Sequence, residues 1–279
     1  MIRMLGIFVR YEPQQNIYNK KKEGFILKKF TCDKAFLYRL FAYLAGLLIL
    51  ALGITLNTKT GLGVSPIISV SYSISTINNW NFGNMTLVLY AIFVIVEMVL
   101  HTFVYLREKK ENLKLRLLMD LLQFPLSLFF TRFLNLFSAL IPDLGDAYGD
   151  QFAGSFAGRV CFLIVAIILT GIGAAISLNM RLIPNPGDGI VQAISDTVHA
   201  SVGLTKNCFD IFNISVTICV GLLSSGKLIG IGLGTVLAVI GVGRVIAVFN
   251  HFCFKPMNLL AGLETAAQEA IPVDLEAAE

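Results

Sequence analysis

Six stretches of this chain run for twenty or more residues with few charges: roughly 36–57, 84–106, 115–141, 158–180, 204–224 and 229–254. A helix that crosses the hydrocarbon of a bilayer needs about 20 consecutive apolar residues, so each stretch passes that test of length. The runs are continuous rather than ten-residue alternations, which argues against a β-barrel. A soluble domain solvates its surface with about 25% charged residues; this chain has 14%, with 56% hydrophobic residues and a mean hydropathy of +0.74. Lipid must cover part of it. The sequence predicts an all-α polytopic membrane protein with six transmembrane helices.

Two further segments fail the length test and say more. Residues 66–80 carry Ser69, Ser71, Ser73, Ser75, Thr76, Asn78 and Asn79, and residues 188–201 carry Asp188, Gln192, Ser195, Asp196 and His199. Neither can face lipid with so many polar side chains, so both are expected as re-entrant half-helices buried in protein. Pro66 and Pro186 are separated by 120 positions, and the same offset pairs Gly53 with Gly173, Leu62 with Leu182, Ile74 with Ile194, Ser75 with Ser195 and Gly83 with Gly203. The matches fall where a spanning helix gives way to a short polar one, and they predict two duplicated halves.

Charge chooses the topology. If the short segments re-enter, each half has three spans and the halves are inverted. If they span, each half has four and the halves are parallel. The loop with Arg107, Lys109, Lys110, Lys114 and Arg116 belongs on the cytoplasmic side, which the inverted three-plus-three arrangement provides when the lysine-rich N-terminal stretch is also inside. The expected layout is a basic cytoplasmic tail over 1–34, a first membrane repeat over 35–141 and an external loop over 142–157. A second repeat follows over 158–255, then an acidic cytoplasmic tail over 256–279. The apolar stretch Met1 to Val9 precedes its lysines, the reverse of a cleavable signal. The five scattered cysteines have no metal-ligand or disulfide spacing and are expected as small buried hydrophobes.

Four short segments form a recognisable set: Gly61-Leu62-Gly63-Val64-Ser65-Pro66, Asn185-Pro186-Gly187-Asp188-Gly189, Gly230-Ile231-Gly232-Leu233-Gly234-Thr235, and Leu121-Leu122-Gln123-Phe124-Pro125-Leu126-Ser127. Together they resemble the bacterial YczE/YyaS/YitT family of uncharacterised integral membrane proteins over residues 38–254. The resemblance implies a bacterial cytoplasmic membrane protein and no particular activity. In that family an acid often stands two positions after the first-half proline, where this chain has Ile68; the second half keeps its acid, Asp188.

Paired broken helices are a sequence pointer to a transporter binding site. The candidate pathway residues are Asp188 with Asn185, Pro186 and Gly187, and, in the first half, Asn57, Gly63, Ser65 and Pro66. Asp188 has two readings: it caps its helix, or it binds a cation or proton beside unwound backbone. Glu97, with His101 four residues on, and Asp210, with Asn213 three residues on, are ionisable groups within spans. For Glu97, a protonated or packing-pair role stands beside the functional one. Gly221-Leu222-Leu223-Ser224-Ser225-Gly226-Lys227-Leu228 begins like a phosphate loop, but Leu228 replaces the metal-binding hydroxyl and a span precedes it. No catalytic motif, cofactor or metal site is expected, so the chain is not read as an enzyme. The leading expectation is a small secondary transporter or permease of unknown solute. Its rival is a non-transporting accessory or scaffold protein. The expected partners are the lipid bilayer, a small solute or ion, and a second copy or membrane partner; nothing points to nucleic acid.

Overall fold

A computed structural model describes residues 34–108 and 112–263. Nearly all of the basic N-terminal stretch, and the acidic stretch from 264 on, lie outside the described residues. The described elements are helical: α1 (Lys34–Lys59), α2 (Pro66–Asn78), α3 (Phe82–Glu108), α4 (Leu113–Leu140), the single turn α5 (Leu144–Ala147), a 3-10 turn (Phe152–Gly154), α6 (Phe156–Asn179), α7 (Pro186–Val198), α8 (Val202–Ser225) and α9 (Leu233–Leu260). Six of them are long and apolar enough to cross a membrane. The 13-residue α2 and α7 reach about 20 Å at the helical rise per residue, short of a hydrocarbon core of about 30 Å.

The helices are dressed for lipid. On α3, Ile92, Ile95, Val99, Phe103 and Leu106 form a stripe at least 50% exposed, while Tyr90, Val94, Glu97 and His101 on the opposite side are at most 7% exposed. A water-soluble helix would reverse that pattern. The same logic corrects the reading of the cysteines: Cys161, Cys208 and Cys219 are exposed and Cys253 is half-buried. A small apolar side chain loses nothing by facing lipid, so burial is not demanded of it.

The tightest contact joins α1 to α6. Gly46 lies against Gly173 and Ser177, and Gly53 against Ala166 and Thr170, so the two helices run antiparallel. Backbone meets backbone there, because glycine removes the side chains that would hold the helices apart. Arg39, in the second turn of α1, donates from Nε and Nη2 to Met180 O at 3.1 and 2.9 Å, and from Nη2 to Arg181 O at 3.2 Å. A cation thus caps the carbonyl end of α6. Arg159, 120 positions after Arg39, places its guanidinium beside Gly61, just past the end of α1.

The element bounds follow the same spacing. α2 and α7 begin and end 120 positions apart, as do α4 and α9; α1 and α6 share their ends, and α3 and α8 their starts. Both half-helices open on a proline at their first helical position, where the missing N–H costs nothing. Both close on a left-handed residue, Asn79 at φ 53° and His199 at φ 55°. Packing is also exchanged between the halves: α2 lies along α8, and α7 along α3. One pair breaks the pattern. α3 and α4 pack closely, whereas α8 and α9 scarcely touch.

The last helix runs past the boundary expected at 255, through Pro256 to Leu260. Proline inside a span is tolerated because neighbouring groups satisfy the freed carbonyl. Here Asn258 and Ala261 are buried and Gly262 comes against Ala35 at the start of α1, so tertiary packing carries the helix on.

Candidate functional site

The N-terminal ends of α2 and α7 abut. The Cδ1 of Ile67 lies 2.7 Å from where a β-carbon on Gly187 would stand, so a side chain at 187 would have to displace the tip of Ile67. Ile67 and Gly187 are themselves 120 positions apart. Neither N-cap, Ser65 nor Asn185, makes a side-chain capping bond. The first turns of the two half-helices thus meet with the Ile67 side chain between them. Beside it lies a void of about 10 Å³ between Tyr43, Ser127, Phe130, Asn185 and Pro186, near the size of one water.

Asp188 sits in the first turn of α7. Its backbone N–H donates to Asn185 O at 2.8 Å, and its half-buried side chain lies within electrostatic reach of Lys206 and Asp210. Asp210 is 4% exposed, with Oδ2 3.7 Å from Lys206 Nζ and Oδ1 without a hydrogen-bond partner. It lines a lateral groove of about 600 Å³ left where α8 and α9 diverge, together with Asn207, Ile211, Ile214, Ile240 and the exposed Arg244.

Glu97 belongs to a second cluster, on the seam of α3, α4 and α7. It is 2% exposed; Gln123 Nε2 donates to its Oε1 at 2.8 Å, while Glu97 Oε2 and Gln123 Oε1 have no partner. His101 does not bond Glu97, its neighbour four residues back. Its Nδ1 is 2.7 Å from Asp120 Oδ2, and its Nε2 receives Arg116 at 3.3 Å from Nε and 3.1 Å from Nη2. Arg116 also reaches Asp196 Oδ2 at 2.9 Å.

Donor atoms of Glu97, His101 and Asp120 lie within 4.8 Å of one another, close enough to suggest a metal. The hydrogen bonds argue otherwise. Arginine stays protonated, so His101 Nε2 is the acceptor and Nδ1 carries the hydrogen given to Asp120. A nitrogen engaged as a donor offers no lone pair to a cation, and the Arg116 charge beside it repels one.

The first-half candidates are placed differently. Gly63 packs on the backbone of Gly232, and Val64 N donates to Gly230 O at 2.9 Å while Gly234 N donates to Leu62 O at 2.7 Å. These bonds clasp the segment before α2 to the approach and first turn of α9. Ser65 and Pro66 belong to that approach. Asn57 is buried in α1 with Oδ1 unpartnered. The structure thus gathers Asn185, Pro186, Gly187, Asp188 and Asp210 around one end of α7 and sets Glu97 on its other side. Gln123, Arg116, Asp196 and Lys206 were not singled out as site residues from the sequence. For Arg116 and Gln123 a signal was available: Arg116, Asp120, Gln123 and Ser127 recur at helical spacing on one face of α4.

The arrangement defines a class: an all-α, multi-pass membrane protein with two half-helices buried among its spans. The chain belongs to DUF6198, a family of unknown function, whose match covers residues 37–251. A 106-residue stretch is 29% identical to an uncharacterized protein of Haemophilus influenzae, covering 38% of this chain and 42% of that one. The chain thus spans less than half the length of that relative. No solved structure matches it.

Proposed function

We propose that the protein is a small secondary transporter of duplicated, inverted design, held here with its axis closed. The observation that carries this reading is the meeting of two half-helix N-termini at Ile67 and Gly187, between element sets whose bounds repeat at 120 positions. Antiparallel packing of the corresponding helices α1 and α6 supports inversion. Discontinuous helices meeting at a repeat interface are where transporters bind solute and ion. Asp188 and Asp210 form the solute-facing pair in this reading, with the α8–α9 groove as a lateral approach to Asp210. The cell membrane of a bacterium, cytoplasmic termini and kinship with the YczE/YyaS/YitT proteins complete it.

The test begins with thermal-stability screening of the purified protein against solute libraries, because a ligand that binds only the folded state raises its apparent stability. Flux of any stabilising solute is then compared in proteoliposomes for wild type, Asp188→Asn and Asp188→Ala. Asparagine caps a helix about as well as aspartate, so loss of flux in a folded Asp188→Asn protein marks a charge that works. Equal flux reduces Asp188 to a cap. The closure by Ile67 favours the rival reading, an accessory protein that stabilises a membrane partner. No stabilising solute, together with a partner that co-purifies at fixed stoichiometry, would decide for that rival.

A further inference from the structure

The seam of α3, α4 and α7 holds more acceptors than donors. Gln123 supplies one hydrogen to Glu97 Oε1, leaving Glu97 Oε2 and Gln123 Oε1 as buried oxygens without a partner. Both close around one point: a β-carbon on Gly189 would stand 2.7 Å from Glu97 Oε2, 2.8 Å from Oε1 and 3.0 Å from Gln123 Oε1. Any side chain larger than hydrogen at 189 would push these groups apart. A buried oxygen left without a donor is costly, because it has given up water for nothing in return.

We propose that Glu97 holds a proton on Oε2 and forms a cyclic acid–amide pair with Gln123, and that this is the proton-binding site of the transport function proposed above. The coupling role rests on that reading; the proton itself does not. One hydrogen on Oε2, directed at Gln123 Oε1, satisfies both orphan oxygens at once.

The charges around the site point the same way. From α3, His101 is neutral, with its hydrogen on Nδ1 facing Asp120. From α4, Asp120 is the carboxylate that accepts it, and Arg116 is the cation. From α7, Asp196 binds Arg116 at 2.9 Å, and its side chain is 37% exposed. Arg116 therefore already serves Asp196 as well as His101. An ionised Glu97 would add a second anion within 4.8 Å of Asp120, beside a cation, Arg116, that already has two partners among the described residues. On release, the proton passes from the Glu97 carboxyl oxygen to the Asp120 carboxylate, leaving Glu97 ionised and Asp120 neutral.

The other half shows that packing does not require an acid here. Shifted by 120 positions, Glu97 and Gly189 become Thr217 and Ser69, whose hydroxyls share a hydrogen bond at 2.7 Å. The positions matching His101, Asp120 and Gln123 are Gly221, Ile240 and Gly243. A neutral hydroxyl pair fills the equivalent place, and the acid cluster is confined to one half.

Infrared spectroscopy of the purified protein tests this directly. Wild type at neutral pH should show the carbonyl stretch of a protonated carboxylic acid, shifted in deuterated water. Glu97→Gln should remove that band yet remain folded, since its amide still donates to Gln123 Oε1. Gln123→Met should move the band by removing its hydrogen-bond partner, and it decides the matter if Glu97→Gln fails to fold. Absence of the band in wild type, or a band unchanged in both variants, overturns the proposal. Solute-driven proton movement in proteoliposomes is measured alongside. The Glu97-dependent band without flux leaves the proton and removes transport; flux without the band, and surviving Glu97→Gln, leaves transport and removes the proton.

Discussion

Gly53→Ala is the sharpest mechanical test of the α1–α6 seam. The added methyl would stand 2.5 Å from Thr170 N, 2.6 Å from Thr170 Oγ1 and 2.9 Å from Ala166 O. Two of these are backbone atoms of a facing helix, which no rotamer change can move, so the helices must separate. Overpacking of this kind costs about 1–3 kcal/mol, set against a gain of about 1 kcal/mol for replacing glycine inside a helix. The propensity gain is removed by comparison with Gly243→Ala, in α9, where nothing lies within 4 Å of the new methyl. The difference between the two variants is then the steric cost alone, about 1–3 kcal/mol. Reversible unfolding in mixed detergent micelles measures it. Gly173→Ala, which meets Leu50 and Gly46 across the same seam, should behave like Gly53→Ala. If Gly53→Ala is as stable as Gly243→Ala, the seam is not backbone-tight and the antiparallel packing derived from it fails.

Arg39→Gln should destabilise by about 1–3 kcal/mol, because the carbonyls of Met180 and Arg181 lose charge-assisted donors in a buried setting; an unchanged thermal midpoint in detergent would remove Arg39 as the cap of α6. For topology, single cysteines on a cysteine-free background should resist a membrane-impermeant reagent in intact cells within residues 107–116 and react within 142–150. Labelling of the first loop from outside would overturn the inverted arrangement with cytoplasmic termini.

Much of the fold was legible because membrane physics writes it in long runs. Six apolar stretches could be nothing shorter than spans, and the serines of residues 66–80 could not face lipid. The site was legible only in part. Asp188 and Asp210 stood out as lone carboxylates, but their common neighbour, Lys206, sits four residues before Asp210 and reads as an ordinary end-of-helix cation. His101 was set beside Glu97 by spacing along one helix; the structure gives it to Asp120 on the next, since i,i+4 proximity does not outweigh a 2.7 Å partner across a seam. The splay of α8 from α9 had no local signature. It follows from comparing the halves: Gly221, Ile240 and Gly243 stand where His101, Asp120 and Gln123 tie α3 to α4.

The glycine seam also has a consequence in time. Its two faces lie about 120 residues apart in the chain, so α1 leaves the ribosome long before α6 exists. At about 5–20 residues per second the interval is roughly 6–24 s. Throughout it Gly46 and Gly53 lack the backbone they will press against, and Arg39 lacks the carbonyls it will cap, reaching instead for the headgroups near its end of the helix. The first span is therefore a provisional tenant of the bilayer, fixed in place only when the second half of the chain arrives.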